Sequence, residues 1–310
     1  GGGLARGAGR GPTVTGRCGL GSGAFFANQR LVLDFEDRDV SIRRVFVMKL
    51  LRLLGPAAAA VLAVGVVFAS SASAAAPEYG RCVKVSKIEK KYDGSYTDKG
   101  CTKAATTKEK EEGKKNKYNW LPGAVKLGQT STGGKAVLQE VGKYAVGCDA
   151  ESSTGEYYGT KEARKLVVTF TGCHVPPYVC TSPGHGEGEL VTKELEGRAV
   201  WKSEAKHEAA LDLYPAHGEE LFIKFSCGEL TVKVKGSILV PITANKMAST
   251  FKLKYKQKRG FQQVKDYEEG GKLYEDILEA NFAEKGWAKS GQTITSTVKN
   301  EEELELNTYV

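Results

Sequence analysis

Residues 251–256, FKLKYK, alternate strictly: Phe251, Leu253 and Tyr255 fall on one side and three lysines on the other. Apolar residues that recur at every second position share a face only in an extended strand, where successive side chains point to opposite sides. The same period runs through the rest of the chain. Leu221, Ile223, Phe225 and Cys227 share a face, and Leu230, Val232 and Val234 share the next after a turn at Cys227-Gly228. Gly236 then leads into Ile238, Val240 and Ile242. Residues 165–171 (KLVVTFT) are β-branched or aromatic on both faces, as in a strand covered on both sides. Further runs lie at 82–87, 136–140, 143–148, 198–202, 209–213, 292–298 and 303–308. Two segments have helix-forming residues. Residues 203–210 (SEAKHEAA) lie between strands and read as a hairpin loop, while 274–282 (YEDILEANF) fits either state. The expectation is an all-β fold with disulfides, an antiparallel barrel or sandwich of about 10–14 short strands.

The first part of the chain reads differently. Residues 1–47 are rich in Gly and Arg and carry no sustained period, which marks an upstream leader outside the true protein. Met48 opens a signal peptide, 48–74: Lys49 and Arg52 are its positive region, 53–69 its apolar run, and Ala72-Ser73-Ala74 its cleavage site. An uncleaved anchor is the alternative, since 53–77 carries no charge and is long enough to span a bilayer. Two further parts follow, a lysine-rich N-terminal segment at 75–117 and a β domain at 118–310 that continues from it. Cleavage also alters the charge. The whole chain has 45 basic and 37 acidic residues; removing nine and four of these leaves 36 and 33, a net of +3 rather than +8. That balance sets nucleic acid aside as a partner. The membrane then enters only transiently, through the signal peptide, and a secreted monomer is expected.

Six cysteines follow the signal peptide: Cys82, Cys101, Cys148, Cys173, Cys180 and Cys227. An even number in an exported chain implies disulfides. The expected pairs are Cys82–Cys101 and Cys173–Cys180, each close in sequence, with Cys148–Cys227 as the remainder. Cys173, His174, Cys180 and His185 also form the one local cluster able to carry chemistry. As a metal site it fails on spacing, because zinc sites favour C-x₂₋₄-C and H-x₃₋₅-H pairs. A thiol nucleophile needs a free Cys beside a base, which an oxidising compartment disfavours. A bridged loop around Pro176-Pro177 is the expectation, with His174 and His185 as ordinary loop residues.

No H-E-x-x-H or G-x-S-x-G occurs, and no motif calls for a metal or any other cofactor. The stretch 128–136 (GQTSTGGKA) approaches a P-loop but has one residue too many and leads into a strand, so it reads as a turn. Carboxylates are plentiful, as at Glu268-Glu269 and Glu301-Glu302-Glu303, yet nothing singles out a facing pair of the kind a glycosidase needs. Residues 103–117 (KAATTKEKEEGKKNK) read as a solvated loop of both signs rather than a contact for an anionic polymer. Trp120, Trp201 and Trp287 are candidate ligand contacts, a sugar-stacking platform, with core packing as the plainer reading.

The stretches SSTGEYYGTKEARKLVVTFTGC, ELVTKELEG, LDLYPA, FSCGELTVKVKGSI, PITANKMASTFKLKYKQ and NEEELELNT resemble a family of uncharacterised secreted proteins of high-GC Gram-positive bacteria. The resemblance runs from about Tyr79 to the C-terminus. It implies a bacterial, extracellular protein, the start at Met48 and a paired Cys173 and Cys180; it implies no activity. The functional expectation is therefore a non-enzymatic binding or structural module. Its partner would be an envelope or environmental polysaccharide, or a small apolar ligand inside a barrel. A secreted polysaccharide hydrolase and a structural envelope protein without ligand are the alternatives.

Overall fold

The computed structural model describes residues 76–307. The leader at 1–47 and the signal peptide at 48–74 lie outside the described residues, as do residues 75 and 308–310. The described chain is almost entirely β, and its centre is a closed antiparallel barrel of eight strands. The short strands read in the sequence join end to end into eight long staves. The first stave is Gly128–Gly133 continued by Ala136–Glu140. The second is Ala145–Cys148 and Ala150–Tyr158. The two keep one register along their whole length, pairing Gly128 with Glu156 and Ala136 with Cys148. The third is Glu162–Thr171 and His174–Val175. The fourth starts at Tyr178–Thr181, makes a loop over 182–189, and resumes as Leu190–Val191 and Leu195–Ser203. The fifth is Glu208–Pro215 and Ile223–Cys227, the sixth Leu230–Gly236 and Ile238–Pro241. The seventh is Ala248–Tyr255 and Leu278–Phe282, interrupted by a flap over 256–277, and the eighth is Ala288–Asn307.

Each stave pairs antiparallel with the next in the chain. The eighth returns to pair with the first, matching Ser296 to Gly133 and Thr293 to Val137, so the sheet has no free edge there. This is an up-and-down barrel. The period-2 pattern explains the wall: Leu211, Ile238, Val240, Leu253, Ile294 and Val298 point into one continuous core. On the opposite face Val200, Ala210 and Leu239 form a second, small cluster beneath Tyr267 of the flap. The flap contains the hairpin Asp266–Glu269 and Lys272–Glu275, and Glu268 pairs with Trp201 of the fourth stave. The turn at 204–207 confirms the hairpin-loop expectation, and 274–282 resolves as strand.

Before the barrel, Glu78–Lys84 pairs with the end of the eighth stave and with Tyr118–Pro122. The 103–117 stretch departs from the expected loop, for it holds a helix, α1 (Thr107–Glu112). Thr106 and Glu109 form a reciprocal capping box and Gly113 ends the helix at φ 63°, two local devices that stabilise even one and a half turns. The 128–136 stretch also departs from expectation: it is strand for six residues, with the break confined to Gly134 and Lys135. Its residues are polar on both sides, so no apolar period marks it.

All six cysteines are bridged, but only Cys82–Cys101 has the expected partner. The other bridges are Cys148–Cys173 and Cys180–Cys227. The register supplies the reason. Cys148, Cys173, Cys180 and Cys227 stand at one level on the second, third, fourth and fifth staves, all buried in the core. Bridging Cys173 to Cys180 would leave Cys148 and Cys227 three strand spacings apart, ~14 Å, beyond the reach of a disulfide. The backbone selects further. Cys180 N–H donates to the Cys173 carbonyl at 2.8 Å, while the Cys173 N–H donates to the Gly188 carbonyl, so the Cys180 backbone is bonded toward the third stave. A residue bonded toward one neighbour is non-bonded toward the other, and non-bonded pairs bring side chains closer. Both bridges have Cα–Cα distances of 4.0 Å, on the close side, as between directly facing non-bonded positions.

Candidate functional site

The barrel interior is not filled. A cavity of about 130 Å³ lies among Leu138, Val146, Leu166, Leu213, Phe225, Leu253 and their neighbours. Eight strands enclose a space that side chains can fill or that can hold one small ligand. Here the wall is mostly apolar, and its polar side chains gather chiefly along one strip, where the first, second and eighth staves adjoin, with Thr192 of the fourth stave apart from them. Ser131 stands opposite Ser153, and Gly133 stands between Glu151 on one side and Ser296 on the other. Because Gly133 has no side chain, the Glu151 carboxylate lies across it: a Cβ there would come within 2.6 Å of Glu151 Oε2. Ser131 Oγ donates to Glu151 Oε1 at 2.6 Å and Ser296 Oγ donates to Oε2 at 2.7 Å. Ser131 and Ser153 hydroxyls are 2.7 Å apart. The Tyr255 side chain lines the same cavity; burial, reinforced by the Glu151 carboxylate, raises its pKa and keeps the phenol protonated. Tyr79 closes the lining from the N-terminal strand, packed edge-on against Tyr157 at 4.7 Å. Burial likewise holds the Tyr79 hydroxyl above its ordinary pKa.

A second buried acidic site lies on the outer wall, under the flap. Asp212 of the fifth stave and Asp276 at the flap's return are 2% and 7% exposed. Arg198, directly opposite Asp212 in the ladder, donates from Nε to Asp212 Oδ2 at 2.9 Å. Its other nitrogens reach the Tyr267 hydroxyl at 2.6 Å and Glu269 at 3.2 Å. Ser237 donates to Asp276 Oδ1 at 2.8 Å. The two carboxyls lie within hydrogen-bonding reach of each other. Asp212 Oδ1 and Asp276 Oδ2 are buried without a hydrogen-bond partner among the described residues, and a proton held between them would satisfy both. Burial, then the Asp212 charge, pushes Asp276 up to about 7; burial raises Asp212 too, against the pull of Arg198. Such a carboxyl–carboxylate pair can exchange a proton, but it is sealed beneath the flap.

The residues singled out in the sequence are dispersed. Trp201 is 1% exposed and packs edge-on to His207, so it presents no stacking face. Trp120 is pressed onto Gly80, where a Cβ would fall 2.0 Å from its ring. Trp287, at the turn into the eighth stave, is 39% exposed with the Lys235 ammonium 4.4 Å from its ring centre. The three make no common platform. His174 hydrogen-bonds the Gly172 carbonyl and His185 lies exposed in the 182–189 loop. Among the described residues no group of three or more His, Cys, Asp or Glu is arranged to hold a metal ion. Glu302 accepts from the Val125 and Lys126 amides, and Glu268 from the Glu204 amide, so these acids serve backbone turns.

Glu151, its serines, and the Asp212–Asp276 pair escape the sequence reading. A signal does exist for both. GQTSTG and AESSTG are strands without an apolar face, and Asp212 interrupts the apolar run ALDL. Comparison with known proteins adds nothing to this: no family model, curated protein or solved structure matches the chain.

Proposed function

We propose that the protein is an exported, non-enzymatic binding module that holds a small apolar molecule inside the barrel. The cavity carries this reading. Protein interiors are otherwise close-packed, and an unfilled apolar space of this size is large enough for a molecule on the scale of benzene. Its lining is that of a ligand site, apolar with a few convergent polar groups. Three disulfides fit an oxidising compartment, in keeping with the signal peptide at 48–74 and with a bacterial secreted origin. A polysaccharide partner has less behind it, since the tryptophans do not gather. A hydrolase has less still: the facing carboxyls Asp212 and Asp276 are closed off from any cleft.

The experiment is a titration of the full chain with benzene and ethylbenzene, followed by amide NMR and by thermal melting. Saturable shifts at cavity residues and a raised melting temperature are expected. Ala136→Phe, which fills the space from the first stave, removes both responses while the protein stays folded. Absence of any shift up to the solubility limit overturns the reading and leaves a structural barrel.

A further inference from the structure

We infer that the cavity selects an apolar molecule carrying a protonated amine, bound at the Glu151 carboxylate; this rests on the cavity being a ligand site. The reasoning starts from the hydroxyls. Both Glu151 oxygens accept, one from Ser131 and one from Ser296. Ser131 spends its proton on Glu151, so in the 2.7 Å contact with Ser153 it accepts and Ser153 donates. The chain Ser153 to Ser131 to Glu151 therefore runs one way, every dipole aimed at the carboxylate. Such chains reinforce each other in a low-dielectric interior. They present an acceptor-only end to the cavity.

Among the described residues no cation is paired with this carboxylate, although the acid is buried. An isolated buried carboxylate is costly, and the strip stays uncompensated until something cationic enters. Each carboxylate oxygen keeps acceptor capacity beyond its one serine bond. The Tyr255 hydroxyl lines the same cavity without a hydrogen-bond partner among the described residues, and its oxygen adds an acceptor for a second N–H. The remainder of the wall, from Leu138 to Phe225, suits a hydrocarbon body. Gly133 is the positioning residue, since its missing side chain is what lets Glu151 reach Ser296.

The test compares molecules of one size and different heads: benzylamine, benzyl alcohol and ethylbenzene, titrated into the full chain at pH 7 by calorimetry and NMR. Benzylamine is expected to bind at least tenfold tighter than ethylbenzene. Glu151→Gln should erase that preference, and Gly133→Ala should reduce it by displacing the carboxylate. Ethylbenzene binding with no amine preference in the native chain, or a preference that survives Glu151→Gln, overturns the inference but spares the cavity reading. Binding of none of the three overturns both. Should Glu151→Gln fail to fold, the native preference and its loss in Gly133→Ala decide the matter.

Discussion

Two acids are buried in the same wall, on opposite faces, and they are satisfied by opposite means. Glu151 faces inward and is held by two serine hydroxyls, one of them backed by Ser153, beside empty space. Asp212 faces outward and is held by Arg198, with Asp276 and the flap packed over it. The outer site is internally complete: one cation, three carboxyls counting Glu269, and a proton. The inner site is complete in geometry but not in charge. The contrast teaches that burial of an acid has two signatures. A paired one braces structure, here tying the flap to the fourth and fifth staves, and an unpaired one beside a cavity is the feature on which the proposed recognition rests.

The contrast breaks most visibly at Arg198. Arg198→Met leaves Asp212 and Asp276 sealed without their cation. It is expected to destabilise the protein by about 3 kcal/mol in urea unfolding, the scale for removing one partner of a buried pair, reduced because the arginine side chain is 32% exposed. A loss below about 1 kcal/mol would mean that the flap is held by Tyr267 and Val264 packing alone.

A pH series sharpens the outer site next. Asp276 is raised from 3.8 to about 7 in the folded protein. Between those values the folded state therefore binds more protons than the unfolded one, so stability falls as pH rises from about 4 to about 7 and then levels. Asp276→Asn, which keeps the shape and removes the charge, should flatten this part of the curve. It should leave the variant more stable than the native protein at pH 8 by on the order of 2 kcal/mol. Parallel curves for the two proteins would show that the carboxyls do not share a proton.

The smallest effect belongs to the inner site. Glu151→Gln is expected to lower unfolding free energy by no more than about 1 kcal/mol, because Ser131 keeps Ser153, the amide oxygen still accepts one hydroxyl, and loss of the unpaired buried carboxylate offsets the other bond. A loss comparable to that of Arg198→Met would make Glu151 a structural acid and remove the distinction between the two sites.

Non-reducing peptide mapping addresses the bridges. Peptides linking Cys148 to Cys173 and Cys180 to Cys227 are expected, and a Cys173–Cys180 link would contradict the stave register.

Much of this molecule was legible in advance. Alternation such as FKLKYK dictates strands whatever their neighbours, because the side-chain period is a property of the extended backbone. Thus the all-β class, the inward faces of Leu253 and Val240, and the involvement of all six cysteines in bridges follow from local rules. Cysteine pairing does not. Cys173 and Cys180 are seven positions apart and do stand opposite each other, yet their partners are set by which neighbour lies on the non-bonded side of the ladder. That is a relation among four strands. The short helix at 107–112 sits at the boundary: TTKE does spell a capping box, but lysine-rich composition hides it.

The cavity and both acid sites belong wholly to the tertiary structure. Ser131, Ser153, Glu151 and Ser296 come from three staves separated by up to 165 positions, and only closure of the eighth stave onto the first brings them to one strip. The sequence by itself determined that this chain extends, alternates and oxidises, since those depend on each residue and its near neighbours. Where the charges meet, and that the barrel is left hollow beside one of them, only the closed sheet decided, because register and curvature are properties of all eight strands together.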